Sequence, residues 1–191
     1  MRSISLKAEI EAVFVVTLAY VALFAVTFLF VMPVQGAYFH WLPMNISLLF
    51  LPHGVRLLSI YIFGWKALFY LLPGHILTWA YQSFMLGSEQ DILSAIVSIT
   101  ASFFAVCLVF RTWTRHSESE LRSHWQLILI AGALASIGNG LGHAFIYGGQ
   151  LDVTWLTLVG GYVVGDVTGL FVLLMALIFV SRWYRIWSNK V

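Results

Sequence analysis

Six apolar stretches, each close to the length a bilayer demands, leave this chain few ways to fold. They cover residues 12–33, 44–64, 67–86, 92–110, 126–147 and 155–180. A helix needs roughly 20 apolar residues to cross a membrane. In lipid only structures that satisfy their own backbone polar groups can span. Charged residues make up 9% of the 191 residues, where a soluble domain carries about 25%, so most side chains face something other than water. The expected fold is all-α, an integral membrane bundle of six transmembrane helices forming a single transmembrane domain over residues 1–191. The first stretch is too long for the apolar core of a cleaved leader, roughly 7–15 residues, and reads as a retained signal anchor.

The basic residues set the expected orientation. With six spans and the N- and C-termini both cytoplasmic, Arg2, Lys7, Lys66, Arg111, Arg115, Arg122, Arg182, Arg185 and Lys190 fall on the inner side. The outer loops then hold no basic residue and carry Glu89, Asp91 and Asp152. That bias is what the positive-inside rule requires. Trp41, Trp65, Trp113, Trp125, Trp155, Trp183, Tyr184 and Trp187 lie near predicted span ends, where amphipathic rings prefer the interface.

Only two charged residues fall deep inside the spans, Arg56 and Asp166. Counted from the outer ends of their helices at about 1.5 Å per residue, both lie roughly 16–18 Å down. A lone charge there costs at least ~2.5 kcal/mol, so the two are expected to contact each other, directly or through a water or ligand. The pair serves either to pin two helices or to line a site. Other polar groups gather at similar depth. His53 shares a helix face with Arg56, His75 lies mid-way along the third span, and Asn139 and His143 are four apart on the fifth. Thr168 follows Asp166 by two residues. These residues (His53, Arg56, His75, Asn139, His143 and Asp166) form the candidate ligand-binding set. His40, His116 and His124 lie outside the membrane and are assigned no role.

Pro52 interrupts the second span and removes the bond its N–H would make to Leu48. A helix restarting near His53 would aim free N–H groups at a cavity, an arrangement that favours a small anionic or polar ligand. Pro73 reads as a packing kink. Gly161, Gly165 and Gly169 recur every four residues, as do Gly138 and Gly142, with Gly132, Ser136 and Gly140 on another side of the fifth span. Such spacing lets helix backbones approach closely, and the last two spans are expected to form a tight hairpin along these faces.

No nucleotide loop, catalytic triad or Cys-rich cluster is present in the sequence, and no lysine lies deep enough to carry a Schiff base. Cys107 stands alone, so an internal disulfide is impossible. No enzyme activity, catalytic residue, metal or nucleic-acid partner is expected.

Two stretches carry a family resemblance: Leu51-Pro52-His53-Gly54-Val55, and Gly165-Asp166-Val167-Thr168-Gly169-Leu170. They are similar to the early Pro-x-Gly and late Gly-Asp-x-x-Gly stretches of the first type of bacterial membrane-associated sensor domain (MASE). The resemblance covers roughly residues 45–180. It implies a bacterial inner-membrane sensory module that conveys a signal to a partner, with Asp166, Pro52 and Gly54 at motif positions. This sequence departs from that family in having fewer helices and no kinase or cyclase after residue 191. It also lacks a Trp before Pro52 and a proline after the late motif.

Four functions fit these readings. The first is a non-enzymatic sensory or ligand-binding module acting through a membrane protein partner or as a homo-oligomer among membrane lipids. The second is an accessory subunit stabilising a larger complex. The third is a substrate-binding subunit of a transporter. The fourth is a haem b protein using two of His53, His75 and His143 as axial ligands.

Overall fold

The computed structural model describes residues 6–40, 42, 46–85, 92–113, 124–147 and 154–188, and every regular element among them is helical. Arg2, Trp41, Glu89, Asp91, Arg115, His116, Arg122, Asp152 and Lys190 lie outside the described residues. Helix α1 (Leu6–Val26) widens into a π-helical turn (Thr27–Val31) and continues as α2 (Met32–Tyr38). The widening precedes Pro33, which has no N–H to give; Met32 N–H bonds instead to Thr27 O, five residues back. Helix α3 (Pro52–Phe63) is joined by a 3₁₀ turn (Gly64–Lys66) to α4 (Ala67–Met85). Helices α5 (Ile92–Trp113), α6 (His124–Tyr147) and α7 (Trp155–Ser188) follow.

Among the described residues, five helical stretches are long and apolar enough to cross a membrane: Leu6–Tyr38, Pro52–Phe84, Ile92–Thr112, Trp125–Ile146 and Trp155–Ser188. The chain is that of a multi-pass membrane protein. The stretch Pro52–Phe84 is a hairpin rather than one rod. Phe63 packs edge-on against Tyr70 at 5.2 Å, and Arg56 lines the same cavity as His75, as antiparallel α3 and α4 place them. The reversal occurs at Gly64, whose φ of +60° is open to glycine without steric cost.

Side-chain pairings fix the other directions. Glu9 bonds Lys66 and Tyr70 near one end of α1. Tyr20 stacks on His75 at 4.1 Å and Phe24 meets Tyr81 further along, so α1 and α4 run in parallel. Ser94 meets His143 and Ser98 meets Asn139, so α5 and α6 are antiparallel. Gly140 lies against Val159 and Gly132 against Leu170, so α6 and α7 are antiparallel too. Leu57, Ile60, Leu71, Ala131, Ala135 and Leu170 form the centre of the apolar core.

The expected second span, 44–64, is helical only from Pro52, and this accounts for the difference between six expected spanning helices and five observed. Residues 46–51 take a non-helical path beside α7. Such a path is tolerated at membrane depth only where protein satisfies the backbone, and here it does. Gln35 Nε2 donates to Ile46 O (2.6 Å), and Leu48 N–H donates to Gln35 Oε1 (2.7 Å). Thr168 donates its hydroxyl proton to Leu48 O (2.5 Å), the carbonyl that Pro52 cannot serve. Phe50 N–H donates to Gly165 O at 2.9 Å.

The glycine stripe of α7 has a different partner from the one expected. A Cβ on Gly161 would meet the side chain of Ile46, one on Gly165 would lie 1.8 Å from Ser47 O, and one on Gly169 would lie 2.1 Å from Phe50 O. These glycines therefore seat the non-helical 46–51 segment rather than α6. Gly138 and Gly142 face Ala101 and Val97 of α5. The α6–α7 contact runs through Gly132 and Gly140, the other small-residue face expected on this helix. The expected stops also moved: the first helix continues past Pro33 to Tyr38, and the last extends past residue 180 to Ser188.

Candidate functional site

The non-helical segment ends where α3 begins, and this places His53 and Arg56 in the middle of the bundle. Pro52 suits the first helical position because its missing N–H has no partner to lose there. The next two amides do not face a cavity as expected. His53 N–H bonds Phe50 O at 3.3 Å and Gly54 N–H bonds Leu51 O at 3.1 Å. The helix start is thus self-capped, and the helix terminus contributes no free donor for an anion.

Arg56 and Asp166 are each 1% exposed. Arg56 Nη2 lies 3.8 Å from Asp166 Oδ1, an ion pair without a short hydrogen bond. The same Nη2 lies 3.3 Å from His53 Nδ1, and that nitrogen lies 3.3 Å from Asp166 Oδ2. A His53 that accepts from Arg56 at Nδ1 carries its proton on Nε2, which faces Ser136 Oγ at 3.5 Å. A proton on Nδ1 turns the imidazole towards Asp166 instead. The guanidinium also sits over the Phe50 ring, with Cζ 5.7 Å from its centroid.

Asp166 is held from α6. Asn139 Nδ2 donates to Asp166 Oδ2 at 3.0 Å, and Ser98 Oγ donates to Asn139 Oδ1 at 2.7 Å. A chain Ser98–Asn139–Asp166–His53/Arg56 therefore crosses α5, α6, α7 and α3. His143 and His75 stand on either side of it. Each has Nδ1 against a carbonyl of its own helix: His143 to Asn139 O at 2.8 Å, His75 to Leu71 O at 3.0 Å. A carbonyl only accepts, so both rings carry their proton on Nδ1 and present Nε2 as an acceptor when neutral. His143 Nε2 accepts from Ser94 Oγ at 2.6 Å. His75 Nε2 is buried without a partner, as is Arg56 Nε.

Beside this network lies a cavity of about 790 Å³. Arg56, His75, Asn139, His143 and Asp166 all line it; His53 is behind Arg56 and does not. Of the six residues expected from the sequence, five thus line one cavity, and the sixth contacts two of them, Arg56 and Asp166. Sequence reasoning did not single out Gln35, which lines the cavity and clamps residues 46–48. It also passed over the aromatic walls, Tyr20, Phe24, Trp79 and Tyr162 among them, and the Ser94–Ser98 pair. A serine pair four apart on α5 was the available signal, because such residues share a helix face.

The two resemblance stretches meet here. Gly54 abuts Leu170 and Leu173, while Gly165, Thr168 and Gly169 hold the residues leading into Pro52. No family model matches this chain, and comparison with curated proteins and with solved structures gives no match either.

Proposed function

We propose that this protein is a non-enzymatic sensory module of the bacterial inner membrane that binds a small polar ligand in the central cavity and passes its state to a partner. The observation that carries the reading is the pair of unpartnered polar atoms, Arg56 Nε and His75 Nε2, on buried residues lining one cavity. Buried polar groups in folded proteins are nearly always satisfied. A buried ion pair is also weak support for a purely structural role, since apolar replacements are often as stable. The self-capped start of α3, and the neutral sum of Arg56 and Asp166, favour a polar ligand over an anionic one.

Six crossings are part of the same reading. The path of residues 46–63, alongside α7, supplies the second crossing, part non-helical and part helical. Parallel α1 and α4, with antiparallel α5, α6 and α7, support both termini on one side, the cytoplasmic side by the positive-inside rule. Helix α7 supports a route for output. Its 34 residues span about 51 Å, well beyond a hydrocarbon core of ~30 Å. Its last turns expose Trp183, Tyr184 and Trp187 beside Arg182 and Arg185. The resemblance to membrane-associated sensor domains supports the sensory role.

The haem alternative has less support, because His53 and His143 both direct their ring nitrogens at protein groups. The accessory-subunit reading uses the same network as helix glue. Native mass spectrometry of mildly extracted protein, with an absorption spectrum of the same sample, separates these readings. A stoichiometric small molecule lost on Arg56→Ala supports the ligand site. A large complex without a small molecule supports the accessory subunit, and a Soret band supports haem.

A further inference from the structure

Resting on the ligand-site reading, we propose that the cavity takes an uncharged, ring-bearing molecule whose hydroxyl group bridges Arg56 and His75. The two unpartnered atoms are of opposite kind. Arg56 Nε–H can only donate. His75 Nε2 accepts, because Nδ1 spends its proton on Leu71 O at 3.0 Å. A hydroxyl is the simple group that answers both kinds, able to accept from a guanidinium and to donate to an imidazole. A ketone or ether serves only Arg56. A carboxylate also serves only Arg56 and sets its lone pairs against His75.

Charge points the same way. Arg56 and Asp166 are the two charged side chains among the described residues lining the cavity, and they offset each other. A carboxylate would leave one negative charge uncompensated near the membrane centre, and an ammonium one positive charge; both are costly there. The walls specify the rest of the molecule. Tyr20 stacks on His75, with centroids 4.1 Å apart, and Tyr162 lies against His143 at 4.5 Å. Phe24, Phe50 and Trp79 complete an aromatic lining suited to a flat apolar ring. Both unpartnered atoms are closed off from the cavity surface, so binding includes an opening of the path to them. Phenolic and quinol-type headgroups belong to this class.

The test uses the full chain in nanodiscs, titrated calorimetrically with para-hexylphenol, para-hexylanisole and para-hexylbenzoate, with empty nanodiscs subtracting membrane partition. The phenol is expected to bind the wild type at least about tenfold more tightly than either analogue, the scale of one unsatisfied buried polar group. His75→Phe keeps the ring on Tyr20 and removes the acceptor; it is expected to equalise phenol and anisole without abolishing anisole binding. Equal binding of phenol and anisole by the wild type, or tightest binding of the benzoate, overturns the hydroxyl assignment while leaving the ligand site standing. Absence of saturable binding by all three overturns the assignment as well. The site itself then falls only if the native protein also carries no small molecule. The wild-type series decides the matter even if His75→Phe does not fold.

Discussion

Replacing Gly165 by alanine tests the packing on which the whole site rests. The added Cβ would lie 1.8 Å from Ser47 O, against a floor of about 3.0 Å for real Cβ contacts. The obstacle is backbone, so residues 46–51 must move away from α7 by roughly 1.2 Å. That movement breaks the bonds from Phe50 N–H to Gly165 O and from Thr168 Oγ1 to Leu48 O. The Phe50 amide and the Leu48 carbonyl lose their partners in a lipid setting that offers no water in exchange, at about 1–3 kcal/mol apiece. Alanine returns up to ~1 kcal/mol through its helix propensity, so the net loss is about 2–4 kcal/mol. Gly160, five residues earlier on α7, supplies the control, since nothing lies within 4 Å of its Cβ position. Gly160→Ala is therefore expected to be neutral or slightly stabilising. Thermal unfolding in detergent, followed by tryptophan fluorescence, should show Gly165→Ala melting roughly 5–15 °C below Gly160→Ala. Melting temperatures within about 2 °C of each other would refute the close seating of the segment on α7.

Removing one member of the buried ion pair should cost more than removing both. Arg56→Met or Asp166→Leu alone is expected to lose about 3–5 kcal/mol, and the double variant markedly less; denaturant titration of the three proteins measures the difference. Gln35→Ala should free the Ile46 carbonyl and the Leu48 amide, and hydrogen exchange at residues 46–50 should rise at least tenfold, the effect of about 1.4 kcal/mol. Gln35→Glu should be worse, because it sets an acceptor against the Ile46 carbonyl. In a Cys107→Ser background, cysteines at Trp65 and Ser188 should label from one face of the membrane and a cysteine at Thr154 from the other. Labelling of residues 65 and 188 from opposite faces would exclude six crossings.

The bilayer made much of this protein legible from its residues. Apolar runs mark membrane-crossing helices because lipid offers no partner to a bare backbone and sets a minimum length. A fixed rise per residue assigned Arg56 and Asp166 to one depth, and they lie 3.8 Å apart. Asn139 and His143 were visible for the same reason, being polar residues in an apolar context. Tertiary structure alone decided which way each helix faced and what it met. The spacing of Gly161, Gly165 and Gly169 announces a close approach but cannot name the approaching backbone, which is the 46–51 segment and not α6. Pro52 announces a break, yet whether the freed groups bind a ligand, water or protein depends on Thr168 and Gln35, residues more than a dozen positions away in the chain. Gln35 near a helix end reads as an ordinary interfacial residue; its role exists only because the chain returns beside it. Depth follows from covalent geometry along one helix, whereas partners follow from packing between helices, and only the second needs the fold.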